Sequence, residues 1–184
     1  MTDQEQLRLN RVRNNIASYP NFPKPGIIFR DVFPLFSDPS LLEDVITLFV
    51  QHIKSLNSSA NAIVGLESRG FLIGPTVALR LGVPFIPIRK AGKLPGDVRS
   101  ASYELEYGTD RFEIQTNSVK VGLNCVIVDD LLATGGSMKT AVKLIEECGA
   151  KTISGVVIIE LVGLGGRQKS GCPIHSLVQF AETD

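Results

Sequence analysis

The run Cys125-Val126-Ile127-Val128 ends in two adjacent carboxylates, Asp129 and Asp130, and leads through Leu131 and Leu132 into Ala133-Thr134-Gly135-Gly136-Ser137. A buried strand, two acids, a turn of small residues and a helix start therefore follow one another without a gap. In open α/β sheets, ligands gather beyond the carboxyl ends of the strands. A turn of Gly, Thr and Ser at a helix start offers backbone N–H groups and hydroxyls to a phosphate, and glycine lets the backbone come close to it. Two carboxylates beside an anion site would repel the phosphate unless they faced something else, such as ribose hydroxyls or a divalent cation. The pattern points to a sugar phosphate. Read without a ligand, the same run is a plain strand–turn–helix connection whose acids face solvent.

Other nucleotide motifs fail. Gly65 and Gly70 have P-loop spacing, but Phe71 stands where lysine is needed. Gly163 and Gly165 open a dinucleotide pattern that Gln168 closes wrongly.

The elements that position this run follow from local pattern. Gln4 to Ser18 reads as a helix with a modest apolar stripe of Leu7, Leu9, Val12 and Ile16. Pro20, Pro23 and Pro25 then interrupt regular structure. Asp38-Pro39 looks like an N-cap followed by proline at the first helical position, opening a helix to about Leu56. Ala62 to Leu66 is a short apolar strand, Pro75 to Leu81 a second helix, and Phe85 to Ile88 another strand. Arg89 to Arg99 is basic, contains Gly92, Pro95 and Gly96, and reads as a mobile loop. Tyr103 to Tyr107 and Phe112 to Gln115 alternate like two strands about a turn at Gly108-Thr109-Asp110. Cys125 to Val128 and Val156 to Ile159 are apolar enough to be buried parallel strands. Between them, Met138 to Cys148 is an amphipathic helix, with Gly149 as its C-terminal stop. Strands alternate with helices, so the class is α/β around a central parallel sheet.

Bulk properties narrow the function. The chain of 184 residues suits one domain, 1–184, and its 19 Lys+Arg balance 19 Asp+Glu. Without a basic excess, neither a nucleic-acid partner nor an anionic membrane is expected. Cys125, Cys148 and Cys172 are odd in number and widely spaced, which fits thiols in a reducing compartment. His52 and His175 offer too few imidazoles for a transition-metal site, and neither is given a role. The polar N-terminus has no secretory apolar core, and no run reaches the roughly 18 apolar residues that span a bilayer. A soluble, cytoplasmic protein is expected.

Residues 125–137 resemble the phosphoribosyl pyrophosphate signature of the type I phosphoribosyltransferases. Phe29-Arg30-Asp31, Glu67-Ser68-Arg69-Gly70-Phe71, Ile88-Arg89-Lys90, Gly92-Lys93-Leu94-Pro95-Gly96, Ser102-Tyr103 and Leu105-Glu106-Tyr107-Gly108 are similar, in the same order, to the adenine-using members of that family. The likeness covers roughly residues 10 to 180 and departs in Asp97 to Ala101 and after Leu164.

The resemblance implies a parallel sheet of about five strands flanked by helices, with a small hood from about 1–35 and the C-terminal segment. It further implies a flexible lid loop at about 91–107, a homodimer and a Mg2+ cofactor. The implied reaction joins phosphoribosyl pyrophosphate to adenine. Another purine base, or a non-catalytic sensor of the same ligand, are the alternatives.

The implied roles are these. Asp129 and Asp130 hold the ribose hydroxyls, and any direct contact of the protein with magnesium comes through them. Ala133, Thr134, Gly135, Gly136 and Ser137 cradle the 5′-phosphate. Arg69, with a cis non-proline bond at Glu67-Ser68 before it, meets the pyrophosphate. Arg89, Lys90 and Lys93 supply at least one more cation there. Glu106 manages the proton on the base, and Tyr107 binds substrate beside it. Phe29 and Leu161 stack on the base, while the Ile28 C=O and Arg30 N–H read its edge.

Overall fold

The computed structural model describes residues 2–104 and 109–181. The chain begins with α1 (Asp3–Asn14), which opens on a capping box: the Thr2 side chain accepts from the Glu5 N–H, and the Glu5 carboxylate accepts from the Thr2 N–H. A two-stranded antiparallel ribbon follows, β1 (Ala17–Pro20) and β2 (Ile28–Asp31), pairing Tyr19 with Phe29. Next come the short α2 (Phe33–Ser37) and the long α3 (Pro39–Ser55). Asp38 caps α3 by accepting from the Ser40 N–H at 2.7 Å, and Pro39 occupies its first turn, as the sequence signals.

The rest builds the sheet. In order come β3 (Ala62–Leu66), α4 (Gly70–Leu81), β4 (Phe85–Lys90), β5 (Val98–Glu104), β6 (Thr109–Gln115) and β7 (Asn124–Leu132). They are followed by α5 (Gly136–Glu147), β8 (Lys151–Leu161), α6 (Gly166–Lys169) and β9 (Ile174–Phe180). The spatial order is β5-β6-β4-β3-β7-β8-β9. The strands β4, β3, β7, β8 and β9 run parallel, five as the resemblance implies, and the β5–β6 hairpin adds two antiparallel strands at one edge.

The central strands are buried on both faces, and successive side chains point to opposite ones, so alternate residues join different cores. Ile63, Val126 and Val128 join one core with Val45 and Phe49 of α3 and Ile73 of α4. Val64, Cys125 and Ile127 join the other with Met138, Ala141 and Ile145 of α5.

Several boundaries differ from the pattern reading, each for a physical reason. The second helix starts at Gly70, so Pro75 lies inside it. Its glycines serve close approach: a Cβ on Gly70 would come within 2.5 Å of the Val128 carbonyl oxygen, and one on Gly74 would collide with the Phe85 ring. Thr109 and Asp110, expected in the hairpin turn, belong to β6. The segment expected as a lid is partly a strand, Val98–Glu104, paired along β6. An edge strand, β9, was not expected, because His175, Ser176 and Gln179 break its apolar pattern.

Asp44 is 1% exposed and ties α1 to α3 through Arg8 and Arg11. The guanidinium groups of Arg13 and Arg30 lie over the Phe180 ring, at 5.3 and 4.1 Å from its centroid. The N-terminal segment and the end of β9 therefore meet.

Candidate active site

The cavity opens where β3 ends and β7 continues. The last β3–β7 pair is Gly65 with Val128, yet β7 runs on beside β8 to pair Leu132 with Glu160. The acids therefore sit inside a strand and not on a solvent-facing turn. Asp130 is only 7% exposed and Asp129 is half-buried, which corrects the expectation of surface acids. A cavity of about 310 Å³ lies against them, lined by Glu67, Arg69, Lys90, the two acids and the continuous run 131–138.

All five residues expected to cradle a phosphate line this cavity. Gly135 adopts a left-handed φ of +83° and is the N-cap of α5, so the first N–H groups of that helix lie at the cavity wall.

The expected cations occupy the facing rim, each engaged by a carboxylate. The Arg69 Nε donates to Asp130 Oδ2 at 2.8 Å. Arg89 donates through Nε and Nη2 to the two Glu67 oxygens, both at 3.2 Å, and the Lys93 Nζ donates to Glu67 Oε1 at 2.9 Å. The Lys90 backbone N–H also donates to Glu67, while its Nζ pairs with Asp110 at 2.9 Å. Arg89 and Lys93 do not line the cavity; they reach it through Glu67.

Glu67 was expected beside Arg69 against the pyrophosphate, but its ion pairs with Arg89 and Lys93 were not. Its partners lie more than twenty residues away, beyond any local period. The Glu67-Ser68 bond is cis, as the likeness implies.

The carboxylates are held very differently. Burial pushes Glu67 up, but its hydrogen bonds from Arg89, Lys93 and the Lys90 N–H outweigh that and leave it at about 2. Burial, and then the neighbouring Asp130, push Asp129 well above the usual carboxylate range.

None of the expected base contacts, Ile28, Phe29, Arg30 and Leu161, lines this cavity. Phe29 is 41% exposed and meets Phe22 edge-on, 5.2 Å between centroids. The Arg30 side chain is occupied by Ser18 and the Phe180 ring. Leu161 ends β8 and is half-buried. Glu106 and Tyr107 lie outside the described residues.

A second carboxylate system was not anticipated. Glu160, at the end of β8, is 3% exposed and binds Arg167, Ser176 and Gln179. The available signal was the one used for Asp129: an acid ending an apolar strand.

Comparison with known proteins places these features in context. Residues 35–171 match the phosphoribosyl transferase domain. The chain is 47% identical to the adenine phosphoribosyltransferase of Drosophila pseudoobscura over 94% of its own length and 96% of that protein. Its structure resembles the Saccharomyces cerevisiae adenine phosphoribosyltransferase complexed with adenine and an imino-altritol bisphosphate, with a TM-score of 0.92 and 45% identity, covering 94% of this chain and 99% of that one. It also resembles the Trypanosoma brucei adenine phosphoribosyltransferase in complex with AMP, pyrophosphate and ribose 5-phosphate. That likeness has a TM-score of 0.84 and 29% identity, and covers 100% of this chain and 82% of the other.

Proposed function

The chain belongs to the phosphoribosyl transferase family, and from that premise we propose that it transfers the 5-phosphoribosyl group of phosphoribosyl pyrophosphate to adenine, giving AMP and pyrophosphate. The observation that carries the reading is one cavity bounded by a backbone phosphate cradle, a pair of acids and a rim of cations. A ribose flanked by a 5′-phosphate and a pyrophosphate presents the complementary groups in that order.

The cradle at 133–137 takes the 5′-phosphate. Asp129 and Asp130 accept hydrogen bonds from the ribose hydroxyls. Arg69 and Lys90 face the pyrophosphate directly, backed by Arg89 and Lys93 through Glu67. As pyrophosphate leaves, carbon 1 becomes oxocarbenium-like, and purine nitrogen 9 attacks from the opposite face with inversion. Catalysis is then mainly positioning and charge stabilisation. Glu106 handles the proton on the base, Tyr107 binds beside it, and the segment 91–107 closes to exclude water.

Magnesium fits the donor set. Asp129 and Asp130 offer hard carboxylate oxygens and would hold the ion together with the substrate's phosphates. When bound, it supplies positive charge to the leaving pyrophosphate.

For the base, β2 pairs with β1 along one edge only. The Ile28 C=O and Arg30 N–H belong to alternate residues and share an edge, and an acceptor beside a donor matches the amine and nitrogen 1 of adenine. Phe29 and Leu161 enclose the ring. The N-terminal ribbon and the end of β9 form the hood over it. A homodimer and a cytoplasmic setting complete the reading, supported by the family likeness and by three scattered free cysteines. No helix among the described residues is long and apolar enough to cross a membrane.

The deciding experiment is kcat/KM for adenine and hypoxanthine side by side. Hypoxanthine mispairs both edge groups, and such mispairing rejects an analogue by about ten-thousand-fold. Comparable values would overturn the adenine assignment but leave phosphoribosyl transfer standing.

A further inference from the structure

The buried Glu160 and the half-exposed Arg167 form an ion pair outside the cavity. Glu160 would be costly to bury bare, and it is fully engaged. Arg167 Nε donates to Oε1 at 2.9 Å, while Arg167 Nη2, Ser176 Oγ at 2.7 Å and Gln179 Nε2 at 3.0 Å donate to Oε2. The other guanidinium nitrogen, Nη1, donates to the Ile174 carbonyl. Arg167 is thereby fixed to both β8 and β9.

Arg167 sits on α6, next to Gly166, and the Gly166 backbone lies against the phosphate cradle. A Cβ on Gly166 would overlap the Ala133 carbonyl oxygen, and one on Gly135 would come within 2.5 Å of the Gly166 carbonyl oxygen. Neither Glu160 nor Arg167 lines the cavity.

We propose that Glu160 and Arg167 are positioning residues for the 5′-phosphate: the pair fixes α6, and the Gly166 backbone fixes the Ala133 carbonyl and the left-handed turn at Gly135. The cradle's N–H groups are then aimed before any ligand arrives. A forked guanidinium–carboxylate pair suits this task because it fixes direction as well as distance. An apolar contact would let α6 slide. The inference rests on the phosphoribosyl reading of the cavity.

The test is titration calorimetry on the full chain with two probes, ribose 5-phosphate and magnesium pyrophosphate. Arg167→Met removes the fork, and Gly166→Ala keeps the ion pair but pushes on Ala133. Each variant weakens ribose 5-phosphate at least about tenfold and pyrophosphate less than about twofold, since ångström-scale misplacement costs up to about a hundredfold. Arg167→Lys, which keeps the charge but loses the fork, falls between wild type and Arg167→Met.

Unchanged ribose 5-phosphate binding in either folded variant overturns the proposal. Equal weakening of both probes also overturns it, because that marks a general loosening of the fold. If Arg167→Met does not accumulate as folded protein, Arg167→Lys decides for the ion pair, since Gly166→Ala leaves that pair intact and reads only the Gly166 contact. Wild-type protein that binds neither probe sinks the phosphoribosyl reading and this inference together, a result distinct from variants that keep wild-type affinity.

Discussion

The two walls of the cavity handle negative charge by opposite means. On the α5 side the groups are mostly backbone: a left-handed Gly135, a helix start and a neighbouring glycine turn packed against it. On the β3 and β4 side they are long side chains, each already bound to a carboxylate. The first wall changes little when an anion arrives. The second must exchange partners. A group that stays bound through the reaction suits the first, and a group that departs suits the second.

Asp129 and Asp130 stand between the walls, so altering both is the most severe way to break the comparison. Asp129→Asn with Asp130→Asn lowers transfer by at least about a thousandfold, the upper end of what one preorganised polar contact is worth. The fold survives. Asp129 is held above the carboxylate range, so neutralising it relieves a cost of burial, whereas losing the Asp130 charge weakens its bond to Arg69. These shifts oppose each other, and the Tm moves by no more than a few degrees. Near-wild-type turnover would place the ribose elsewhere.

Gly135→Ala attacks the backbone wall alone. The new Cβ meets both a left-handed φ and the Gly166 carbonyl oxygen. The KM for phosphoribosyl pyrophosphate rises about a hundredfold with a smaller change in kcat, because displaced N–H groups misplace the whole substrate. A KM within threefold of wild type would mean that the cradle is as adaptable as the rim.

The smallest effect lies away from both walls. His52 and His175 stack with ring centroids 3.6 Å apart. Burial, then His52 and Arg167, lower His175 from 6.5 to about 4. Its folded value is below its unfolded one, so its contribution to stability is complete above about 6.5 and is lost as pH falls toward 4. Glu67, lowered from 4.5 to about 2, loses its contribution only below about 4.5. Urea unfolding between pH 7 and 5 therefore reports the histidines and not the rim. The expected loss is about 1 kcal/mol after allowing for partial exposure, and His175→Gln flattens the profile. A variant that keeps the wild-type slope would assign it to other groups.

How much of this was legible in the sequence follows from where partners lie along the chain. The cradle and its acids are consecutive residues between a strand and a helix, so Asp129 to Ser137 could be read directly. The Asp38 cap and the α3 stripe are equally local. The start of α4 was misread because Gly70 and Gly74 answer to Val128 and Phe85, residues remote in sequence. The second wall was seen as a list of cations but not as ion pairs, since Arg89 meets Glu67 only when β4 lies beside β3. The edge strand β9 escaped notice because its polar residues serve Glu160 and the histidine stack, not a period.

The occupied rim also governs encounter and competition. Arg69, Arg89, Lys90 and Lys93 each meet a carboxylate within 3.2 Å, with Glu67 shared by Arg89 and Lys93, so three carboxylates offset most of the field of these four cations. The long-range attraction that can speed capture of an anion by about tenfold to a thousandfold is largely cancelled. A passing inorganic phosphate finds none of the four bare, and must displace an acid that is already well placed. A molecule carrying a diol for the aspartates and anionic groups at both ends recovers what that displacement costs. The chain thus trades speed of capture for indifference to the small anions that outnumber its substrate in any cell.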